Sequence, residues 1–243
     1  MKILHSSKCI SRFLFRGALT VLVLGSLSAP PPAAGWGDRS VERIVSESLS
    51  RLPTEVTDFL SKTDKYVWAG LNVSAGRKEL YLGFLRPDNT GFAAAALALQ
   101  LNILSVLYEE GQTPYLSYRL GILSSAVIDS SFPLVSAPVD EASIRKNFSR
   151  DVDNSISNFT SRSRAPELIG DPTGYFRRMI ERSSGWLQPV LSQYRVGRGY
   201  DTVARLAAAE SFQAAVNSLT DVLYTIVRAD GNATVTDQER YNY

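Results

Sequence analysis

Histidine and cysteine are almost absent from this 243-residue chain: the one histidine is His5 and the one cysteine is Cys9. Residues 10–243 therefore hold no imidazole and no thiol. That excludes Ser-His-Asp and Cys-His nucleophilic arrangements from this stretch, and every zinc site built on imidazole or thiolate ligands. No disulfide can form there either, so stability must come from a packed core, which about 200 residues can supply. Also missing are a Gly-x-Ser-x-Gly elbow, a phosphate loop and a dinucleotide fingerprint. Lysine is scarce: beyond residue 35 only Lys62, Lys65, Lys78 and Lys146 remain for serine-lysine chemistry. With 44% hydrophobic and 21% charged residues the composition is that of a folded domain, neither disordered nor multi-pass.

The first 35 residues read as a secretory signal peptide. Lys2, Lys8, Arg12 and Arg16 precede an apolar run from Ala18 to Leu27, and Ala33-Ala34-Gly35 offers small residues before Trp36. An uncleaved anchor is the competing reading, disfavoured because the run is shorter than the roughly 20 residues of a spanning helix. The expected location is periplasmic or secreted. The whole chain carries a net charge of +2, and residues 1–35 contribute four basic and no acidic groups. Residues 36–243 thus hold 22 basic and 24 acidic residues, a net −2, which leaves no electrostatic case for nucleic acid.

Apolar residues beyond Trp36 repeat at helical spacing almost throughout, no alternating strand pattern stands out, and no internal repeat occurs, so the expected class is all-α. A first helix is predicted from Asp38 to about Leu52, ahead of Pro53, and a short second one over Thr54–Ser61. The glycine-rich segment Trp68–Thr90 reads as loop. Phe92–Glu109 is apolar on nearly all sides, which implies a central helix surrounded by others, ended by Gly111. Pro114 opens a helix running towards Asp129, and Asp140 is a candidate N-cap for a helix through Ile144, Phe148, Val152 and Ile156. Ser157–Ala165 reads as loop. Gly170-Asp171-Pro172 caps a helix to about Trp186, Pro189 starts a short element, and Tyr200–Val227 is long and amphipathic. The domain assignment is signal peptide 1–35, helical domain 36–228 and irregular tail 229–243.

Several constellations have a plain reading beside a functional one. Asp230 to Glu239 places oxygen side chains at alternate positions, but Val235 stands where a calcium loop needs glycine and Tyr241 where it needs a bidentate glutamate. Arg177, Arg178, Glu181 and Arg182 read as a solvated helix face. Trp68, Tyr81, Phe84 and Phe92 read as core packing, with a lipid-facing groove as the alternative.

One segment carries a resemblance. Tyr118 to Val135 resembles the central motif of the zinc-dependent phospholipase C and single-strand-specific zinc nuclease superfamily, in which a Leu-Gly helix bears His-x-x-x-Asp followed by Pro-x-His. Here Leu120-Gly121 is followed by Ser125 at the first His position, Asp129 at the Asp, and Val135 after Pro133 at the second His. The family's later His-x-x-x-Glu falls on Ser149 and Asp153. Its amino-terminal Trp, which binds zinc through the free amino group and carbonyl, matches Trp36. Val41 takes the place of the following His, and Leu52-Pro53 closes the helix. The match spans roughly residues 36–155.

The resemblance implies a helical phospholipase C-like fold with three zinc ions, but the imidazoles that would hold them are replaced. Trp36, Asp129 and Asp153 remain as vestigial metal-ligand candidates, and no zinc or other cofactor is expected. Asp129 is read as a structural helix-end carboxylate that accepts hydrogen bonds from nearby backbone or serine groups such as Ser125, Ser130 or Ser131. The expected function is a non-catalytic, exported domain that binds an unidentified ligand or protein partner, with membrane lipid contact left open. The alternative is a hydrolase of phosphate esters or phospholipids with a rebuilt, oxygen-ligand metal site around Asp129 and Asp153.

Overall fold

Eight α-helices and two 3₁₀ turns account for most of the described chain, and no strand occurs among the described residues. The computed structural model describes residues 35–76, 90–111 and 113–228. These belong to one unit that starts at Ala33. Nearly all of the proposed signal peptide, the tail 229–243 and its calcium-like stretch lie outside the described residues.

The helices are α1 (Asp38–Leu49), α2 (Thr54–Gly76), α3 (Thr90–Glu110), α4 (Pro114–Ser130), α5 (Ala142–Ser155), α6 (Pro172–Ser184), α7 (Leu187–Arg195) and α8 (Thr202–Arg228). Their starts follow local chemistry. Thr113 caps α4 by accepting from Leu116 N at 3.1 Å, and Pro114 occupies the first turn, where its missing N–H costs nothing. Asp171 caps α6 in the same way, accepting from Gly174 N at 2.9 Å with Pro172 behind it. Asp140 caps nothing: it sits in the 3₁₀ turn Val139–Glu141, and α5 begins after Glu141 without a side-chain cap.

Two of the predicted elements change. The short second helix is a 23-residue one, because α2 continues through Trp68 and Gly70 to Gly76. Residues 77–89 of the expected loop lie outside the described residues. Glycine weakens an isolated helix by about 1 kcal/mol, yet here it is what permits the tightest packing in the fold. A Cβ on Gly70 would overlap the Tyr118 carbonyl oxygen and stand 3.0 Å from the Gly121 Cα. One on Gly121 would overlap the Val67 carbonyl oxygen and stand 2.9 Å from Leu71 N. The backbones of α2 and α4 therefore touch at a Gly–Gly crossing.

The second change concerns which helix is central. The all-round apolar α3 is not enclosed: Phe92, Leu99, Ile103 and Val106 are 59%, 58%, 40% and 53% exposed. Only one face, formed by Ala93, Ala94, Leu97, Leu101 and Leu104, is buried, chiefly against α6 and α4. By length and composition Phe92–Glu110 is long and apolar enough to cross a membrane. The enclosed helix is α4, buried along most of its length from Leu116 to Ser130 and contacted by α2, α3, α6 and α8. Its sequence hides this, because serines and an aspartate interrupt the apolar run. Ser130 and Ser117 return their hydroxyls to the Ala126 and Thr113 carbonyls one turn back, at 2.6 and 3.3 Å, which lets a polar side chain be buried inside a helix.

The crossing generates a prediction. Gly121→Ala forces backbone apart from backbone and is expected to cost about 3 kcal/mol or more in urea unfolding. Gly170→Ala, where a Cβ meets nothing within 4 Å, is expected to shift stability by less than about 1 kcal/mol. Equal effects of the two substitutions would contradict a tight crossing.

Candidate functional site

Helix α1 starts at Gly37, an N-cap residue without a side chain, so its first amide groups need acceptors from elsewhere. Asp153, near the end of α5, provides them. Its Oδ1 accepts from Ser40 N at 2.8 Å and from Ser40 Oγ at 2.6 Å. Gly37 is required by the same contact, since a Cβ there would overlap the Asp153 carboxylate. A carboxylate 113 positions away thus caps α1 and meets the positive end of its dipole.

Trp36 is fixed beside it. The indole is 3% exposed, donates from Nε1 to the Ile128 carbonyl at 2.9 Å, and meets Phe132 edge-on at 5.4 Å. Phe132 leads on to Phe148 of α5 at 5.5 Å and Phe148 to Tyr194 of α7 at 6.1 Å. Ile128 precedes Asp129, so the last turn of α4 lies against the start of α1. Trp36 and Asp153 therefore meet at the start of α1, and Trp36 ties that point to the turn that carries Asp129.

The other positions that the resemblance aligned with metal ligands carry hydroxyl and apolar side chains. Ser125, Val135 and Ser149 are buried, and Val41 packs at the edge of the core. Asp129 is 6% exposed, as expected of a buried helix-end residue. Two expected donors serve other acceptors: Ser130 Oγ bonds Ala126 O and Ser131 Oγ bonds Ile128 O, each at 2.6 Å. The Ser130 carbonyl in turn accepts from Ser183 Oγ of α6 at 2.8 Å.

The donor set does not fit a three-zinc centre. Positions 125, 135 and 149 supply no imidazole, and Asp153 already accepts two hydrogen bonds. Among the described residues no three His, Cys, Asp or Glu side chains cluster as a metal would need. No protein-family model, curated protein or solved structure matches the chain.

Arg177, Arg178, Glu181 and Arg182 are exposed, as a solvated face requires. Trp68 and Phe92 are exposed, which departs from core packing, because α2 and α3 turn these positions outward; Tyr81 and Phe84 lie outside the described residues. Lys78 also lies outside them.

One polar centre escaped the sequence reading. Asp221, fully buried in α8, takes a two-pronged ion pair from Arg164, the Tyr175 hydroxyl at 2.8 Å and Glu167 N at 2.9 Å. It ties the irregular stretch 159–171 to α8. The only signal was a lone acid inside the apolar run Leu219–Val227. Burial, followed by the Asp221 charge, pushes the Tyr175 phenol up. Burial opposes the charge on Arg164, but its hydrogen bond and attraction to Asp221 outweigh that and raise it. Burial and the Asp151 carboxylate, which accepts from the Tyr194 hydroxyl at 2.8 Å, likewise push Tyr194 up.

Two outcomes are expected. Asp153→Ala removes the cap of α1 and is predicted to lower unfolding stability by about 1–2 kcal/mol, with Asp153→Asn, which keeps an acceptor oxygen, costing less. No loss in Asp153→Ala would mean the cap contributes nothing. On the alkaline side, phenols that the fold keeps protonated support the folded state fully below pH 10, the ordinary tyrosine value, and withdraw that support as the pH climbs beyond it, because the unfolded chain ionises first. Tyrosinate absorbance is expected to show Tyr175 and Tyr194 ionising together with unfolding. Titration of all tyrosines as one population at pH 10 in the folded protein would refute this.

Proposed function

We propose that this chain is a non-catalytic binding domain on a scaffold like that of the zinc-dependent phospholipases C, exported to the periplasm or beyond, its ancestral metal positions converted to structural use. The observation that carries this reading is Asp153: the carboxylate at the family's ligand position caps α1 through Ser40. The indole of Trp36 supports the same conversion, since its hydrogen bond to Ile128 O anchors the start of α1. Chemistry points the same way. Isolated carboxylates without imidazole or further oxygen donors hold divalent cations too weakly at neutral pH to generate a hydroxide nucleophile.

The test is metal dependence. Thermal unfolding of the purified chain is expected to give the same midpoint after exhaustive chelation and after adding zinc, because a weak site cannot shift folding by mass action. Hydrolysis of a chromogenic phosphodiester is expected to stay at the buffer rate. A midpoint that falls by several degrees on chelation and recovers with metal, together with turnover, would replace this reading by the phosphate-ester hydrolase with an oxygen-ligand site.

A further inference from the structure

A groove of about 230 Å³ runs between α3 and α4. Ala93, Ala96 and Ala126 leave its space, and Leu97, Leu99 and Leu123 supply apolar walls. Arg119 lines the same groove. Its guanidinium donates to Tyr115 Oη at 3.1 Å and to Gln100 Oε1, and lies 5.9 Å from the centre of the Tyr115 ring. None of these partners is anionic, and Arg119 Nε is buried with no hydrogen-bond partner. A guanidinium with a buried, unanswered donor beside an apolar trough lacks an acceptor carrying negative charge.

We propose that this groove binds a single-chain amphiphile with a carboxylate head, a medium-chain fatty acid in chemical class, with the head paired to Arg119 and the chain laid between α3 and α4. The proposal rests on the binding reading above and names its ligand. The volume lies below the range of about 300–1,000 Å³ typical of drug-sized ligands, so one alkyl chain fits better than a two-chain lipid. A bilayer suits the groove less well, because Glu109 and Glu110 are exposed at the end of α3 and repel an anionic surface. The apolar wall continues outward through Leu99, which is more than half exposed, so an entering chain covers surface that is otherwise left in water.

Calorimetric titration of the purified chain with decanoate is the test, with 1-decanol and phosphatidylcholine vesicles as parallel arms. Saturable one-to-one binding of decanoate is expected, with decanol weaker by at least about tenfold, the weight of one charge-assisted contact. Arg119→Met keeps the aliphatic packing and should lose the preference for the acid. Ala96→Met fills the trough from the partly exposed side of α3 and should abolish binding at an unchanged melting temperature. No saturation by folded protein, equal affinity for acid and alcohol, or undiminished binding by Arg119→Met would each overturn the proposal. So would vesicle binding without decanoate binding, or self-association through α3 seen by light scattering. Phosphodiester turnover in the same preparation would instead overturn the non-catalytic reading and leave the decanoate result standing.

Discussion

The contact between Gly70 and Gly121 sets the spacing on which the rest of this bundle depends. Two helices normally stand 8–10 Å apart, separated by side chains, but here α2 and α4 meet backbone to backbone. That draws α4 into the middle, where α2, α3, α6 and α8 all reach it. Once α4 is enclosed, its serines and Asp129 must be buried too. Ser117, Ser130 and, just past the helix end, Ser131 bond to carbonyls three or four residues back, and the Ser130 carbonyl accepts in turn from Ser183 of α6.

A second constraint acts at the start of α1, where the polar and the aromatic bonds of the fold coincide. Asp153 satisfies the first turn of α1, and Trp36 holds the preceding residue against Ile128 while joining the row Phe132, Phe148 and Tyr194. Four segments far apart in sequence are fixed by this small set of contacts. Hydrogen bonds of a helix cap and one indole N–H thus gather helices that no disulfide could join in this cysteine-free stretch. Asp221 performs a matching task on α8, where it holds the irregular stretch 159–171.

The surface of α3 is the feature least explained by stability. Leu99, Ile103 and Val106 leave apolar surface exposed, while the groove beside them holds an arginine whose Nε has no hydrogen-bond partner. Burying Leu99, Ile103 and Val106 against a ligand or partner would remove apolar surface from water that folding alone leaves exposed.

Sequence by itself determined the helical class, the helix openings at Pro114 and at Asp171-Pro172, and the absence of any histidine or cysteine chemistry beyond residue 9, because these depend on local geometry and on residue inventory. It misjudged α2, since a glycine inside a helix looks like a break until the partner backbone that needs the space is in place. It misjudged α3, since periodicity reports how apolar a helix is and not which faces find neighbours. It singled out Trp36 and Asp153 but not the tasks they perform, and it passed over Asp221. Only the tertiary structure decided those points, because a carboxylate's role is set by which donors reach it across more than fifty residues of chain, and no local pattern encodes that distance.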